Sequence, residues 1–402
     1  MSTNRIVITG IGLVSPLGWR VGDFWRRLVA GERAITRIER FDPTGLRNEK
    51  AGEVKGWSFD PAAFGLPEPP SRATQFALFA TREALRDAGL PAELDGVRAG
   101  AALATNFGGA DAWEDYAASF LAGDPISAHF RRYQFDEAPR LLRQCLGVAG
   151  PLRLVSMACS SGTIAVGLAS DLLRAGLCDV ALAVGYDCLA PMPLAGLSTL
   201  RTITADDIKP FSADRSGTIF GEGAACLVLE RAERALGRGA RIYAEVLGWW
   251  ENNNGYHLTA PDPGAEGMTA VVAGCLRRSG LSPAEIDYIN AHGTGTEYHD
   301  PAETLAIKNV LGDRAYEIAV SSIKGAIGHL MGAAGAIEAV ATALAIHTGK
   351  LPPTANYTEP DPACDLDYVP NVGRDAEVRA ALSISAGIGG NNACVAMRRW
   401  EQ

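Results

Sequence analysis

The chain has 402 residues, 47% of them hydrophobic and 21% charged, with a net charge of −9. Those proportions describe an ordinary globular protein longer than one usual domain, built as two domains or as two fused halves around a shared core. The charges are spread without long like-sign runs. That argues against a nucleic-acid surface, while 37 Lys and Arg leave room for a local basic patch that could dock an acidic partner.

The chain leads straight from Met-Ser-Thr-Asn-Arg into Ile6-Val7-Ile8-Thr9, which reads as a strand. With no charged-then-apolar leader before it and no apolar run approaching the length of a membrane span, a cytoplasmic protein without membrane insertion is expected. Short β-branched runs follow at Arg5–Val14, Val97–Thr105, Arg153–Met157, Val180–Gly185 and Ala225–Glu230. Five more lie at Ile242–Leu247, Ile286–Ala291, Ala319–Ser322, Ala381–Ser385 and Ala393–Met397. Several are continuously apolar, the pattern of strands buried on both faces. Helical periodicity falls between them at Ser71–Ala88, Gly162–Ala175, Gly267–Ser279, Pro301–Leu311 and Gly332–Thr348. Alternation of this kind predicts an α/β fold, with a mostly parallel sheet and helices outside it. A coarse two-fold echo divides the chain into residues 1–240 and 241–402, each half with a buried strand, a small-residue turn bearing a reactive residue, and a helix.

The eight cysteines form no Cys-x-x-Cys pair and suit neither a zinc site nor a disulfide framework. Most read as small buried hydrophobes in a reducing compartment. Cys159 stands apart. In Leu154-Val155-Ser156-Met157-Ala158-Cys159-Ser160-Ser161-Gly162 a buried strand runs into a tight turn and a helix starts. There the helix dipole and free N–H groups favour a thiolate and can hold an oxyanion, the alternative being a structural cysteine.

In Asn290-Ala291-His292-Gly293-Thr294-Gly295-Thr296 an imidazole follows a strand directly, beside a loop small enough to admit a thin substrate. The hydroxyls of Thr294 and Thr296 could bind amide groups of that substrate. Next, His299-Asp300-Pro301-Ala302-Glu303 has the spacing of a capping box, with Asp300 at the N-cap and Glu303 at the third helical position. In Lys324-Gly325-Ala326-Ile327-Gly328-His329 a lysine set among small residues calls for a carboxylate partner. Finally, the loop Ala386-Gly387-Ile388-Gly389-Gly390 brings backbone N–H groups close to a ligand, outside the strand–helix context of a dinucleotide site.

Taken together, Ala-Cys-Ser-Ser-Gly at 158–162, His-Gly-Thr-Gly-Thr at 292–296 and Lys-x-x-x-Gly-His at 324–329 resemble the β-ketoacyl-(acyl-carrier-protein) synthases. These are condensing enzymes of thiolase-like fold: two pseudo-equivalent mixed-sheet halves in an αβαβα arrangement. The resemblance extends from Val7-Ile8-Thr9-Gly10 to Gly389-Gly390-Asn391-Asn392, essentially the whole chain.

It implies that Cys159 takes an acyl group from carrier-protein phosphopantetheine, with the N–H groups of Cys159 and Ile388 as oxyanion hole. His292 and His329 match the histidines that support malonyl decarboxylation and hold the thioester oxygen as the enolate forms. Lys324 and Glu303 match a supporting ion pair, and Asp300 and Glu338 match acidic positions that are structural or ion-binding. Neither a metal nor a cofactor beyond the carrier's phosphopantetheine is implied. The partners are an acyl-carrier protein and a second subunit, either a copy of this chain or a homologous chain-length partner.

Several departures set the chain apart from that pattern. Ala386 and Ile388 stand where the family has phenylalanines, Phe107 stands where it often has a smaller residue lining the acyl pocket, and Ser216 replaces an acidic residue. They imply altered chain specificity, with fatty-acid elongation and a type II polyketide or polyene pathway both open. A thiolase would need a second cysteine in the 386–390 loop, a chain-initiating synthase would have asparagine for His329, and a non-catalytic partner subunit would lack Cys159.

Overall fold

A computed structural model describes residues 5–123 and 128–401. The first four residues, over which a leader was sought, lie outside it. The ten strand runs expected from the sequence are the ten strands of one sheet. In chain order they are β1 (Ile6–Val14), β2 (Ala99–Ala104), β3 (Leu152–Val155), β4 (Val180–Asp187) and β5 (Gly223–Arg231), then β6 (Ala244–Asn253), β7 (Tyr288–Asn290), β8 (Ala319–Ser321), β9 (Ala380–Gly387) and β10 (Asn391–Arg398). Across the sheet the order is β8-β7-β9-β10-β6-β1-β5-β4-β2-β3.

That order holds a repeat. Counted within its own half, each set of five strands runs third, second, fourth, fifth, first. Pair directions repeat as well: β4 lies parallel to β2 and antiparallel to β5, as β9 lies parallel to β7 and antiparallel to β10. The halves are stitched where Ile6, Val7 and Ile8 meet Val246, Glu245 and Ala244.

The sheet is mixed, and this corrects the expectation of a mostly parallel one. Pairs β1·β5, β1·β6, β4·β5, β6·β10 and β9·β10 are antiparallel. Continuous apolar runs report burial on both faces, which helices impose whatever the strand direction.

Helix α1 (Arg72–Asp87) covers the outside of the first half, while α3 (Glu266–Ser279) and α4 (His299–Leu311) cover the second. Between the halves lie α2 (Ser161–Arg174) and α5 (Ala334–Thr348), each packed on strands of both. Five layers result, with one apolar cluster around the central helices and two others beneath the outer ones. In α5, Ala334 through Ile346 are all buried. Residues 331–348 are apolar and long enough to cross a bilayer, contrary to the expectation that no run approached that length. They form the protein's innermost helix, 89% of the segment being buried.

Small residues let the central helices touch. A methyl on Gly162 would lie 2.4 Å from the Ala336 nitrogen, and one on Gly335 would lie 2.3 Å from the Thr163 nitrogen. The helix that follows the Cys159 turn is thereby fixed against the helix that follows His329.

Candidate active site

Cys159 sits in the turn between β3 and α2. Ala158, just before it, has φ of 49°, a left-handed conformation unusual for a residue with a side chain. Neighbouring hydroxyls stitch the turn: Ser160 Oγ donates to the Met157 carbonyl (2.7 Å), and Ser161 Oγ donates to the Ala158 carbonyl (2.6 Å) while accepting from the Met157 N–H (2.7 Å). On the other side the 386–390 loop presses in. A methyl on Gly387 would stand 2.9 Å from Ala158 Cβ and 3.0 Å from the Cys159 nitrogen, so glycine alone permits the approach. That approach brings the Ile388 backbone near Cys159, where it weakly favours the thiolate.

Burial pushes the Cys159 thiol up to about 12, against the opposing pull of Lys324. The helix start therefore does not produce a resting thiolate, as the sequence suggested. Desolvation outweighs it, and the thiol is protonated near neutral pH.

His292 follows β7. Its N–H donates to Glu303 Oε1 (2.6 Å), the Gly293 N–H donates to Glu303 Oε2 (2.8 Å), and Lys324 Nζ donates to the His292 carbonyl. Asp300 accepts from the Phe211 N–H (2.7 Å), the Thr294 N–H (3.1 Å) and the Gly295 N–H. The two carboxylates thus clamp the His-Gly-Thr-Gly loop, and no capping box forms. The helix begins at His299 with Tyr298 as N-cap, leaving both acids inside it and facing the loop. Burial raises Glu303 to about 8 and Asp300 to about 6.

The ion pair expected between Lys324 and Glu303 is not the one formed. Lys324 Nζ binds Glu338 Oε1 of α5, both side chains being buried. Ser385 Oγ donates to Glu338 Oε2 (3.3 Å) and shares a 2.7 Å hydrogen bond with Thr163. The lysine is thereby tied to the first turn of α2, the helix that follows Cys159. Glu303 is occupied with backbone N–H groups, and Glu338 is the nearer carboxylate.

His329 takes a fixed tautomer. Its Nδ1 accepts from the Met331 N–H (3.1 Å), so the proton sits on Nε2, which has no partner among the described residues. The His292 and His329 rings stand edge to face with centroids 5.4 Å apart. Burial, together with the charge of Lys324, holds both imidazoles well below their ordinary value, hence neutral.

These groups open on one cavity of about 670 Å³, lined by Cys159, His292, His329, Thr294, Thr296, Phe107 and Ile388 among others. Lys324 and Glu303 lie behind the lining. The hydroxyls of Thr294 and Thr296 are 2.9 Å apart at the wall. Phe107 packs against an apolar cluster that includes Leu194, Phe220 and Met331. Ser216 pairs with Thr204 (2.6 Å) where an acidic side chain was expected.

Two residues at the site carry no motif that marked them. Asp187, at the end of β4, accepts from Thr105 Oγ1 (2.6 Å) and from the N–H groups of Asn106 (2.9 Å), Phe107 (3.1 Å) and Gly332 (2.7 Å). It fixes the Phe107 loop to the start of the helix after His329. An acid closing a buried strand was its available signal. The other is His299, read in the sequence only as part of a capping segment, which lines the cavity beside His292.

A buried thiol between two copies of one strand order, facing two neutral imidazoles, defines a condensing enzyme of thiolase-like fold. Residues 3–235 match the family "Beta-ketoacyl synthase, N-terminal domain", and residues 243–358 match "Beta-ketoacyl synthase, C-terminal domain". The chain belongs to the β-ketoacyl synthase family. It is 38% identical to 3-oxoacyl-[acyl-carrier-protein] synthase 2 of Coxiella burnetii, over 99% of each chain. To the tetracenomycin polyketide synthase ketoacyl synthase alpha subunit of Streptomyces glaucescens it is 39% identical, over 98% of this chain and 97% of that one. Among solved structures it superposes on the ishigamide ketosynthase/chain length factor with a TM-score of 0.92 at 35% identity, each chain covered fully. The reaction class is β-ketoacyl-acyl-carrier-protein synthesis: decarboxylative condensation of an acyl thioester with a malonyl thioester, releasing CO2.

Proposed function

We propose that Cys159 carries the acyl group, and that His292 and His329 act on the malonyl half of the reaction. The observation that carries this reading is the single cavity that Cys159, Ile388 and both histidines line. When an acyl-carrier protein delivers its thioester, the Cys159 sulfur attacks the carbonyl carbon, the carbon–sulfur bond to pantetheine then breaks, and the thiol proton ends on the departing pantetheine sulfur. Negative charge forms on the carbonyl oxygen, where the N–H groups of Cys159 and Ile388 receive it. Burial that keeps the thiol neutral at rest also makes those donors effective, since little water competes with them. The acyl chain then lies along Phe107, while Thr294 and Thr296 offer hydroxyls to the pantetheine amides.

In the second half-reaction malonyl enters on its carrier protein. The Nε2–H of His329, preset by the Met331 N–H, donates to the thioester oxygen beside His292. Losing CO2 puts an electron pair into the enolate, whose carbon attacks the Cys159 thioester; the carbon–sulfur bond breaks, the 3-oxoacyl product forms on the carrier, and the Cys159 sulfur leaves as a thiolate that takes up a proton. Lys324 and Glu303 hold the His292 loop from behind and touch no substrate. No metal takes part in this scheme, and the only prosthetic arm is the carrier's phosphopantetheine. The chain reads as two halves meeting near residues 240 and 241, working in the cytoplasm with a second homologous subunit.

Both fatty-acid synthases and polyketide ketosynthases stand at similar identity to this chain, so the pathway rests on the partner. The likeness to a ketosynthase/chain length factor favours a catalytic subunit paired with a chain-length subunit. Intact mass of the protein after incubation with acyl-carrier protein tests the chemistry. A single acyl adduct is expected on wild type and none on Cys159→Ala. An adduct of equal yield on Cys159→Ala would remove the nucleophile assignment. Substituting His292 or His329 with Ala should slow malonyl decarboxylation on the order of 10²–10³-fold while slowing acyl transfer less.

A further inference from the structure

A third imidazole stands beside the two proposed catalytic ones. The rings of His299 and His292 meet edge to face with centroids 4.9 Å apart. Both nitrogens of His299 are shielded from solvent, and neither has a hydrogen-bond partner among the described residues. The nearest carboxylate oxygens, on Glu303 and Asp300, stand 3.9 and 4.0 Å from Nδ1, beyond hydrogen-bond range. A neutral imidazole carries one donor and one acceptor, and leaving them buried and unpaired is costly. Such a group at a cavity wall is a binding site awaiting a polar ligand.

Part of the cavity lining is apolar. Ala302 lies one turn further along α4, Ala265 and Met268 begin α3, and Ala386 opens the glycine-rich loop. All four line the cavity and belong to the apolar cluster under the outer helices of the second half. Ala386 occupies a position where the family pattern has phenylalanine, and its methyl leaves space that a ring would take. The cavity thus combines apolar lining with a third imidazole, which stands beside His292.

Malonyl carries its two oxygen-bearing carbons one methylene apart, and neighbouring imidazoles suit its two ends. We propose that His299 is a substrate-binding residue that donates a hydrogen bond to the malonyl carboxylate, and that the apolar lining of the same cavity receives the departing CO2. This rests on the condensing function proposed above. In the step itself the bond between the malonyl methylene carbon and the carboxylate carbon breaks. Its electron pair becomes the thioester enolate, and the carboxylate leaves as neutral CO2. Charge therefore moves from the His299 end toward His292 and His329. A site favours that movement when it holds the carboxylate without a full positive charge and offers the product an apolar space. Burial lowers His299 to about 4, so it meets the carboxylate as a neutral donor.

The test compares wild type with His299→Phe, which keeps volume and removes both nitrogens, and His299→Asn, which keeps a donor. Steady-state condensation with malonyl-acyl-carrier protein, release of labelled CO2 and Cys159 acylation by intact mass are measured on each folded protein. In His299→Phe the malonyl KM is expected to rise roughly 10-fold or more, the loss due to one hydrogen bond to a charged group. His299→Asn should recover most of it, and Cys159 acylation should change far less than the malonyl step. A malonyl KM within twofold of wild type in His299→Phe would overturn the role of His299 while leaving the condensing function standing. Equal losses in Phe and Asn variants would overturn it too, since the donor would then not matter. Failure of wild type to acylate at all would instead bring down the proposed function and this inference with it.

Discussion

Lys324 is a charge buried at a cost that only its partners offset. Its ammonium meets Glu338 and the His292 carbonyl, with both ionic side chains 1% exposed. Removing one member of such a pair strands the other, at roughly 3–5 kcal/mol, whereas replacing both with apolar groups of similar size is often close to neutral. Glu338→Leu should therefore lower the urea midpoint sharply, and the double variant Lys324→Met/Glu338→Leu should recover most of the loss. Condensation should stay depressed in the double variant, because the His292 loop has lost its tether. Recovery of both together would show that the pair serves stability alone. The sequence revealed that Lys324 needed a carboxylate but pointed to Glu303. The Asp300–Glu303 spacing mimics a local cap, while Glu338 is brought in only by the packing of α5, which no local pattern encodes.

The contact between the two central helices turns on a single missing carbon. A Cβ on Gly335 would fall 2.3 Å from the Thr163 nitrogen and 2.4 Å from its Oγ1. Overpacking of this kind typically costs about 1–3 kcal/mol. Gly335→Ala should lose at least that in urea titration and should also slow Cys159 acylation, because the α2 start must shift. An unchanged midpoint would mean that the helices have room to part. Strand positions were legible from apolar runs, and the five helices named from periodicity recur within about two residues. Strand direction was not legible, nor were shorter helices such as Val21–Val29 and Glu137–Leu146, whose apolar stripes are brief. Direction is decided by connections between strands, and those are properties of the chain path rather than of any window.

For the molecule as a whole, specificity follows from which half supplies which wall. Phe107 follows the second strand of the first half, and its loop is held by four bonds to Asp187 and Thr105, among them those of the Phe107 and Gly108 N–H groups. A pocket volume filled by a phenyl ring is closed to methylenes, so Phe107→Ala should shift products toward longer acyl chains, read as a product-length distribution over a panel of acyl primers. A distribution that does not move would make Phe107 plain packing. The three motifs were legible because each sits at a strand end. Asp187 and His299 were not, since one is a lone acid after a strand and the other was hidden inside an apparent cap.

The repeated strand order has a consequence for how such an enzyme can change. Cys159 and Phe107 follow the third and second strands of the first copy, while Lys324 with His329, and His292, follow the third and second strands of the other. On the proposed roles, equivalent corners do different work: one copy holds the acyl chain, and the other acts on the malonyl half. Loops of the cargo-holding copy can be lengthened, narrowed or refilled to suit a new chain without disturbing the imidazoles. Two copies of one five-stranded order thereby leave two parts that can be altered separately, a gauge for the product and an engine for the bond.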